Sequence, residues 1–329
     1  MGKTNANSTI RAARLQDAVS VARVLNAWAM EFQGVAKTTA DEVRRNWQRS
    51  GVNIGTDTRV VELPAHGIIG YAVFSDSFWD YARLRGLIYM HPEHADPAIE
   101  RELLDWINER ALVSIREIPA DRRAALSHLA MAADEPRREL LLERGYTVVH
   151  HAIRMRLALP RALEEDEVQP PDGITIRSCD RGTDLPAVSA VVQEAFREHW
   201  GFVERTTEED VARYERWLDD DSGIDMGVWH LSCMDDDVVG VCLGTSKYSG
   251  DSEQGYVFTL GVRDAVRGRG IGRALLSHAI ATFQSRGCAF VDLDVDTANL
   301  TGALHLYESV GMRVRWQTDE YEKDLRAVD

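Results

Sequence analysis

Residues 262–276 read VRDAVRGRGIGRALL, and this stretch decides the fold of the second half of the chain. It leaves a strand-like run, packs three glycines into residues 268–272 and then enters a helix-patterned segment. Glycines allow successive backbone N–H groups to point into one concavity, and a helix that starts there adds the positive end of its dipole. The stretch therefore predicts a site that holds a pyrophosphate largely by backbone. Its countercharges would come from Arg267, Arg269 and Arg273.

Other phosphate-binding loops fit these glycines less well. A Rossmann-type dinucleotide loop follows an early strand of a parallel series, whereas residues 267–272 come late and after an antiparallel hairpin pattern. A Walker A loop ends in Gly-Lys-Ser or Gly-Lys-Thr, and this loop has no such ending. A glycine-rich strand-to-helix turn with surface arginines is the alternative that binds nothing.

The chain carries an internal repeat. The tripeptide TIR occurs at residues 9–11 and again at 175–177. Strand, turn and helix patterns then follow in the same order in both halves, at an offset of roughly 170 residues, which is typical of a duplicated domain. The repeat therefore predicts two domains of one architecture.

Each half is expected to form a sheet with helices. In the second half, two strand-like runs flank the turn at residues 235–237, which predicts an antiparallel hairpin over 229–243. Each half then ends in a helix stopped by a glycine, Gly145 or Gly311, and a final strand. The matching predictions for the two halves are strands 67–74 and 237–243, strands 87–90 and 256–262, and helices that begin near Ala98 and Ile271.

The order of these elements in residues 175–329 resembles the GCN5-related N-acetyltransferase (GNAT) family. The shared pattern is a strand, an R-x-x-G-x-G loop, a helix, a strand, an asparagine and a Leu-Tyr-Glu helix. The resemblance implies an α+β fold of two tandem GNAT-like domains, each a mixed, mostly antiparallel sheet flanked by helices, with the N-terminal copy degenerate. The expected boundaries are 1–160 for the degenerate domain, 161–173 for an acidic, Pro-rich linker, and 174–329 for the catalytic domain.

The resemblance also implies acetyl-CoA as co-substrate. In the family the loop binds the pyrophosphate, the preceding strand splays from its neighbour to receive the pantetheine arm, and a backbone N–H near Leu260 steadies the thioester oxygen. A spacing of four places Asn299, Ala303 and Tyr307 on one helical side. The resemblance assigns CoA contact to Asn299 and protonation of the departing thiolate to Tyr307. The expected cofactor-binding residues are Leu260, Gly261, Val262, Arg267, Gly268, Arg269, Gly270, Ile271, Gly272, Arg273, Asn299 and Ala303.

The general base is the least defined part of the predicted site. Tandem members of the family, mycothiol synthase among them, place a glutamate on the strand where this chain has Tyr256. Glu253 lies nearby and is the predicted base, while Asp292 and Asp294 on the neighbouring strand are alternatives that act directly or through water. The missing glutamate also leaves open a non-catalytic acyl-CoA sensor instead of an N-acetyltransferase that acts on the primary amine of a small molecule.

The first half has lost the phosphate loop. An offset of 172 residues aligns the Leu-Leu pairs at 103–104 and 275–276. The same offset aligns residues 95–100 with the loop at 267–272. No motif glycine remains there, Asp96 and Glu100 would repel a pyrophosphate, and Pro97 removes a backbone donor. Leu141 replaces Tyr307 when Gly145 is aligned with Gly311. One cofactor site per chain is therefore expected.

Composition excludes several classes of protein. With 53 acidic and 38 basic residues the net charge is −15, which disfavours nucleic acid and favours cationic small molecules. There is no apolar run long enough for a membrane span and no export signal, so a cytoplasmic protein that acts without a membrane is expected, as a monomer or a homodimer. The four cysteines form no C-x-x-C pair, and His91-Pro92-Glu93-His94 reads as an ordinary loop, so no metal is expected.

The acceptor pocket is expected around residues 196–203. In this family the first helices and their loop build that pocket, and the stretch FREHWGFV is rich in aromatic side chains. Such side chains could cover an amine, although helix packing is the commoner reason for them. No particular acceptor follows from this stretch.

Overall fold

The computed structural model describes residues 8–36, 38–49, 51–76, 83–162, 169–220, 224–248, 253–297 and 300–326. The chain divides into two compact units. Unit 1 comprises Met1–His151 and Trp316–Asp329, and unit 2 comprises Ala152–Arg315. Within the described ranges, no helix combines the length and the apolar character that a membrane crossing requires.

The secondary structure follows the predicted repeat. The strands are β1 (Thr9–Arg11), β2 (Thr58–Leu63), β3 (Gly67–Ser75), β4 (Arg83–Met90), β5 (Ala124–Met131), β6 (Thr147–Ala158), β7 (Ile174–Ser178), β8 (His230–Met234), β9 (Asp237–Thr245), β10 (Gln254–Val262), β11 (Phe290–Asp296) and β12 (Arg313–Arg326). The helices are α1 (Ala18–Gln33), α2 (Ala40–Trp47), α3 (Ile54–Asp57), α4 (Pro97–Ser114), α5 (Glu135–Glu143), α6 (Leu185–Ala195), α7 (Thr207–Asp220), α8 (Ile271–Ser285) and α9 (Leu300–Ser309).

The two units contain sheets of the same design. In unit 1 the order is β1-β2-β3-β4-β5-β12, and in unit 2 it is β7-β8-β9-β10-β11-β6. Neighbours run antiparallel except β4 with β5 and β10 with β11, which are parallel. The predicted fold class, a mixed and mostly antiparallel sheet with helices in each of two tandem copies, is confirmed.

The local predictions for unit 2 also hold. β8 and β9 pair with Met234 opposite Asp237, so the hairpin turn contains Asp235 and Asp236. Asp235 takes a left-handed conformation, with φ at 54°, which an aspartate at a tight turn tolerates. Helix α8 begins at the predicted Ile271.

The final strands are the main difference from the prediction, which closed each half with its own last strand. In unit 1, β5 pairs with β12 through Ala124–Met131 and Thr318–Arg326, at the C-terminal end of the chain. In unit 2, β11 pairs along its length with residues 152–158 of β6, from the first half of the sequence. The units have therefore exchanged their last strands. Their limits differ accordingly from the predicted boundaries at residues 160 and 174.

Helix α8 lies against the unit 2 sheet through an apolar side. Its buried residues recur at helical spacing, and the largest is Phe283. A methyl group at Gly255 would lie 2.7 Å from the Phe283 ring, and one at Gly244 would lie 3.0 Å from it. Glycines in β9 and β10 therefore let α8 approach the sheet, which fixes the position of the loop that precedes this helix.

Candidate active site in unit 2

The sheet of unit 2 forks between its two parallel strands. β10 and β11 pair only from Gln254–Val257 to Phe290–Leu293, although β10 runs on to Val262 and β11 to Asp296. Beyond that point β10 stays paired with β9, and β11 stays paired with β6. The two strands thus diverge as the resemblance implied, and a register shift between Val257 and Thr259 marks the start of the fork.

The backbone of β10 faces this fork at alternate residues. The N–H of Arg263 donates to the carbonyl of Val239 at 2.9 Å, which directs residue 263 toward β9. Because backbone groups of a strand alternate in direction, Leu260 and Val262 point away from β9 and into the fork. The Arg267 guanidinium donates to the Val262 carbonyl from that side at 3.0 Å. Leu260 therefore directs its N–H to the place where the thioester oxygen is expected.

The glycine loop closes one end of the fork. Gly268 and Gly270 both have left-handed φ values, +77° and +83°, which favour glycine at these positions. Gly270 caps α8 without any side-chain hydrogen bond. Among the described residues, the backbone N–H groups of Gly270, Ile271 and Gly272 have no acceptor. The start of α8 therefore offers free donors and a positive dipole end to an anion.

The arginines of the loop have different surroundings. Arg267 forms an ion pair with Asp264 at 2.7 Å and donates to the carbonyls of Val262 and Ala195, so it holds the loop in place. Arg269 is exposed and contacts the sulfur of Met234 at 3.7 Å. Arg273 is exposed on the first turn of α8. Arg269 and Arg273 are thus the better placed for a phosphate group.

Tyr307 lies in the core beside the fork. It is only 9% exposed, and burial raises the pKa of its phenol, with a further contribution from the nearby thiol of Cys242. Cys242 stands directly opposite Leu260 in the strand register. The raised pKa keeps the Tyr307 hydroxyl in its protonated form. It is therefore a hydrogen-bond donor at neutral pH. Ala303 lies one turn earlier in α9, and the predicted Asn299 is outside the described residues.

An aromatic group lies along β10 where the acceptor pocket is expected. A methyl group at Gly261 would lie 3.1 Å from the Phe196 ring, so the missing side chain lets Phe196 approach the strand. His199 packs on Phe196, with 4.5 Å between ring centroids. Trp217 meets Phe258 edge-on at 4.6 Å. The predicted stretch 196–203 therefore does reach the fork.

His199 is a candidate site residue that the sequence pointed to only as part of this stretch. It packs on Phe196 beside β10. Burial lowers its pKa below the ordinary value of 6.5, and the charge of Asp296 at the end of β11 opposes that shift. No local motif could have identified it, because its surroundings depend on tertiary contacts.

The predicted base, Glu253, lies away from the fork. It precedes β10, its side chain is exposed, and its carbonyl accepts hydrogen bonds from Ala289 and Phe290. Four residues separate Glu253 from Val257, which corresponds to about 13 Å along a strand. This distance prevents direct proton transfer to Glu253 from an amine in the fork.

The alternative bases are engaged in ion pairs. Asp292 is fully buried and accepts two hydrogen bonds from Arg156 and one from Gln254. Asp294 accepts from Arg154 and from the Tyr256 hydroxyl at 2.9 Å. Both carboxylates therefore have their charge neutralised by an arginine of β6, and the tyrosine at the family's glutamate position serves as a donor to Asp294.

The sheet of unit 1 also has a fork between its two parallel strands, but side chains fill that fork. β4 and β5 pair only from Arg83–Gly86 to Ala125–His128. Beyond that point the buried Arg137 donates to the Ile88 carbonyl at 3.0 Å and to the Glu100 carboxylate at 2.7 Å. Helix α4 of unit 1 also starts differently from α8, because the Asp96 carboxylate accepts the Ala98 N–H. The loss of the phosphate site predicted for this half is thus matched by side chains that occupy the fork.

Unit 1 also contains a cavity outside its fork. The cavity has a volume of about 440 Å³ and lies between α1, α2 and the strands β3 and β4. Its walls include the aromatic side chains of Trp47, Tyr71, Phe74 and Tyr89.

The chain is similar to known acetyltransferases in sequence. The Acetyltransferase (GNAT) family matches residues 189–312. A mycothiol acetyltransferase from Stackebrandtia nassauensis is 33% identical over 294 residues, which are 85% of this chain and 87% of that protein. Another from Saccharopolyspora erythraea is 29% identical over 234 residues, 70% of this chain and 73% of its own.

A solved structure has the same overall architecture. The GCN5-related N-acetyltransferase from Sphaerobacter thermophilus superposes with a TM-score of 0.83 at 26% identity, covering 98% of this chain and 97% of its own. The relatives match most of the chain, and the forked sheet and the glycine loop of unit 2 indicate the same family. This chain therefore belongs to the GNAT family and is an N-acetyltransferase of the tandem type.

Proposed function

We propose that unit 2 transfers an acetyl group from acetyl-CoA directly to the primary amine of a small molecule. The observation that carries the proposal is the fork between β10 and β11, closed at one end by free backbone donors at Gly270–Gly272. A fork of this kind accepts an extended arm by backbone pairing, and the helix start accepts its phosphates. The mycothiol acetyltransferase relatives support a small-molecule acceptor.

The reaction forms a C–N bond and breaks a C–S bond. The amine attacks the thioester carbonyl, and the carbonyl oxygen gains negative charge as the tetrahedral intermediate forms. We place the Leu260 N–H at this oxygen, because it points into the fork and a positioned donor of this type is worth about 10²–10³ in rate. When the intermediate collapses, the electron pair of the C–S bond remains on sulfur.

Tyr307 is the proposed donor to this sulfur. Its raised pKa keeps the phenol protonated, so it can stabilise the thiolate by a hydrogen bond or complete a proton transfer. A free phenol with a pKa near 10 facing a thiol near 8.5 is a mildly uphill donor by about 2 kcal/mol, and burial increases this difference. Hydrogen-bond stabilisation is therefore the main role we assign to it.

We place the acceptor of the amine proton at His199 and assign Glu253 at most a role through intervening water. An ammonium group has no lone pair for the attack, so an unprotonated base must take its proton. The lowered pKa keeps His199 neutral at pH 7, and Asp296 stabilises the imidazolium that forms. The aromatic surface of Phe196 holds the ring near β10.

The central experiment is a thiol-release assay with acetyl-CoA and a panel of small amines. Tyr307→Phe should lower kcat by about 10²–10⁴ without raising the KM for acetyl-CoA. Gly270→Glu should abolish turnover, because a carboxylate would occupy the free donors at the start of α8. Ser309→Ala, at an exposed residue of α9, is the matched control and should keep full activity.

Two outcomes would contradict the proposal. Full turnover in Gly270→Glu would show that acetyl-CoA binds elsewhere. Acetyl-CoA binding without thiol release from any amine, unchanged in Tyr307→Phe, would indicate a sensor of acyl-CoA that does not catalyse transfer to amines.

A further inference from the structure

Two histidines and a glutamate lie close together at one corner of unit 1, and a third histidine packs on one of them. His91, Glu93 and His94 follow β4, and their ligand atoms all lie within 4.8 Å of one another. His66, from the turn between β2 and β3, packs on His94 with 4.4 Å between ring centroids. The rings of His91 and His94 are 5.3 Å apart. In the sequence, residues 91–94 read as an ordinary loop, because no local spacing links them to His66.

The backbone holds these side chains on short, hydrogen-bonded turns. The N–H of His91 donates to the Ile69 carbonyl at 2.8 Å, and the N–H of His94 donates to the His91 carbonyl at 2.9 Å. The N–H of His66 donates to the Leu63 carbonyl at 3.1 Å. Arg23 fixes the same turn by donating to the His66 carbonyl. Little ordering would therefore be needed for the side chains to bind a ligand together.

The imidazole rings have nitrogen atoms to offer. His91 Nδ1 is buried without a hydrogen-bond partner among the described residues, which leaves an unsatisfied polar atom. Imidazole nitrogen is the commonest metal ligand that protein side chains provide.

We propose that His66, His91, Glu93 and His94 bind a divalent transition-metal ion of the zinc class. Imidazole nitrogen with one carboxylate is a donor set that Zn²⁺, Co²⁺ and Ni²⁺ accept. Tetrahedral coordination at about 2.0–2.1 Å requires donor atoms roughly 3.4 Å apart. The donor atoms of His91, Glu93 and His94 lie within 4.8 Å of one another, so small side-chain rotations would bring them to that spacing. The ion would link the β2–β3 turn to the segment after β4.

The test uses the full chain freed of metal with a chelator. Zn²⁺ is titrated by calorimetry, and Co²⁺ is added as a spectroscopic probe whose visible absorption reports coordination. We expect one ion per chain at this site, a higher melting temperature with Zn²⁺, and at least about tenfold weaker binding in His94→Ala and in His66→Ala. His305→Ala, at an exposed histidine of α9, is the control and should bind as the unchanged protein does.

His66 lies on an exposed turn, so its variant keeps the assay valid if His94→Ala fails to fold. Equal binding in His66→Ala and in the unchanged protein would overturn the proposed ligand set. No Co²⁺ absorption and no Zn²⁺ heat at equimolar metal would overturn the site altogether. These readouts do not depend on acetyl transfer, so they stand apart from the test of the proposed function.

Discussion

Two helices start at matching positions of the two units, and they satisfy their first backbone N–H groups in different ways. α8 of unit 2 is capped by Gly270, which has no side chain to offer. α4 of unit 1 is capped by Asp96, whose carboxylate accepts the Ala98 N–H at 2.9 Å. A helix start that is capped by its own carboxylate has fewer donors left for a phosphate group and repels one electrostatically.

The forks of the two units also differ in the side chains that stand at matching positions. At the offset of 172 residues Glu100 takes the position of Gly272, and alignment of Gly145 with Gly311 sets Arg137 at the position of Ala303. In unit 1 this pair forms a buried ion pair at 2.7 Å. In unit 2 the corresponding residues are small. Side chains at a few positions, and not the design of the sheet, therefore separate the open fork of unit 2 from the filled fork of unit 1.

The largest effect is expected when the fork of unit 2 is filled as it is in unit 1. Gly272→Glu combined with Ala303→Arg would build the unit 1 ion pair into unit 2. We expect thiol release to fall to background and acetyl-CoA binding to be lost, because the space and the positive helix start are both taken. Asp96→Gly in unit 1 is the control and should leave turnover unchanged. Wild-type kcat/KM in the double variant would contradict this account of the fork.

The next largest effect concerns stability of unit 1. Glu100→Gln leaves the guanidinium of Arg137, which is 4% exposed, without its charge partner. Breaking a buried pair on one side costs about 3–5 kcal/mol, and urea denaturation should report a loss of this size. Glu143→Gln breaks the exposed pair with Arg101 and should cost less than about 1 kcal/mol. Equal losses would mean that the buried pair has no special role.

A smaller effect is expected for the histidine at the unit 2 fork. His199→Ala should lower kcat by about 10²-fold, while Glu253→Gln should change it little. His199 must be neutral to accept a proton, and burial lowers its pKa below 6.5. Activity should therefore persist at pH 6.5 and decline only at lower pH. A pH–rate profile of the single variants checks this. Loss of activity in Glu253→Gln, with normal turnover in His199→Ala, would reverse the assignment.

The effect that is smallest at neutral pH involves the histidine at the unit 1 fork. His128 is buried at the last parallel pair, and burial lowers its pKa to about 3. Its folded pKa lies below the unfolded value near 6.5, so the unfolded state binds more protons between these limits. Stability should therefore fall as pH drops from about 6.5 toward 3, by at most about 1.4 kcal/mol per pH unit. His128→Phe should make that decline shallower, measured by urea denaturation at several pH values.

Much of the fold followed from local sequence, but part of the site did not. The hairpin at Asp235 and the start of α8 at Ile271 depend on turn and helix signals that lie within a few residues. The position of Glu253, about 13 Å along β10 from the fork, depends on where two strands stop pairing, and no local pattern encodes that. The Glu100–Arg137 pair joins two helices and depends in the same way on tertiary contacts.

The exchanged strands were beyond sequence reasoning for a related reason. β6 and β12 both follow a helix stopped by glycine, and either strand could have paired with either sheet. Pairing partners are decided by the whole hydrogen-bonded edge and not by the strand's own pattern. The predicted boundaries at residues 160 and 174 therefore rest on composition alone.

The strand exchange has a consequence for the order of events during synthesis. Most of unit 1 leaves the ribosome first, but its sheet needs Thr318–Arg326, which emerge only after all of unit 2. Until then the edge of β5 is open, and such an edge pairs readily with other chains. Unit 2 has no such delay, because residues 152–158 precede the rest of it. Unit 2 can thus complete its sheet before unit 1 completes its own.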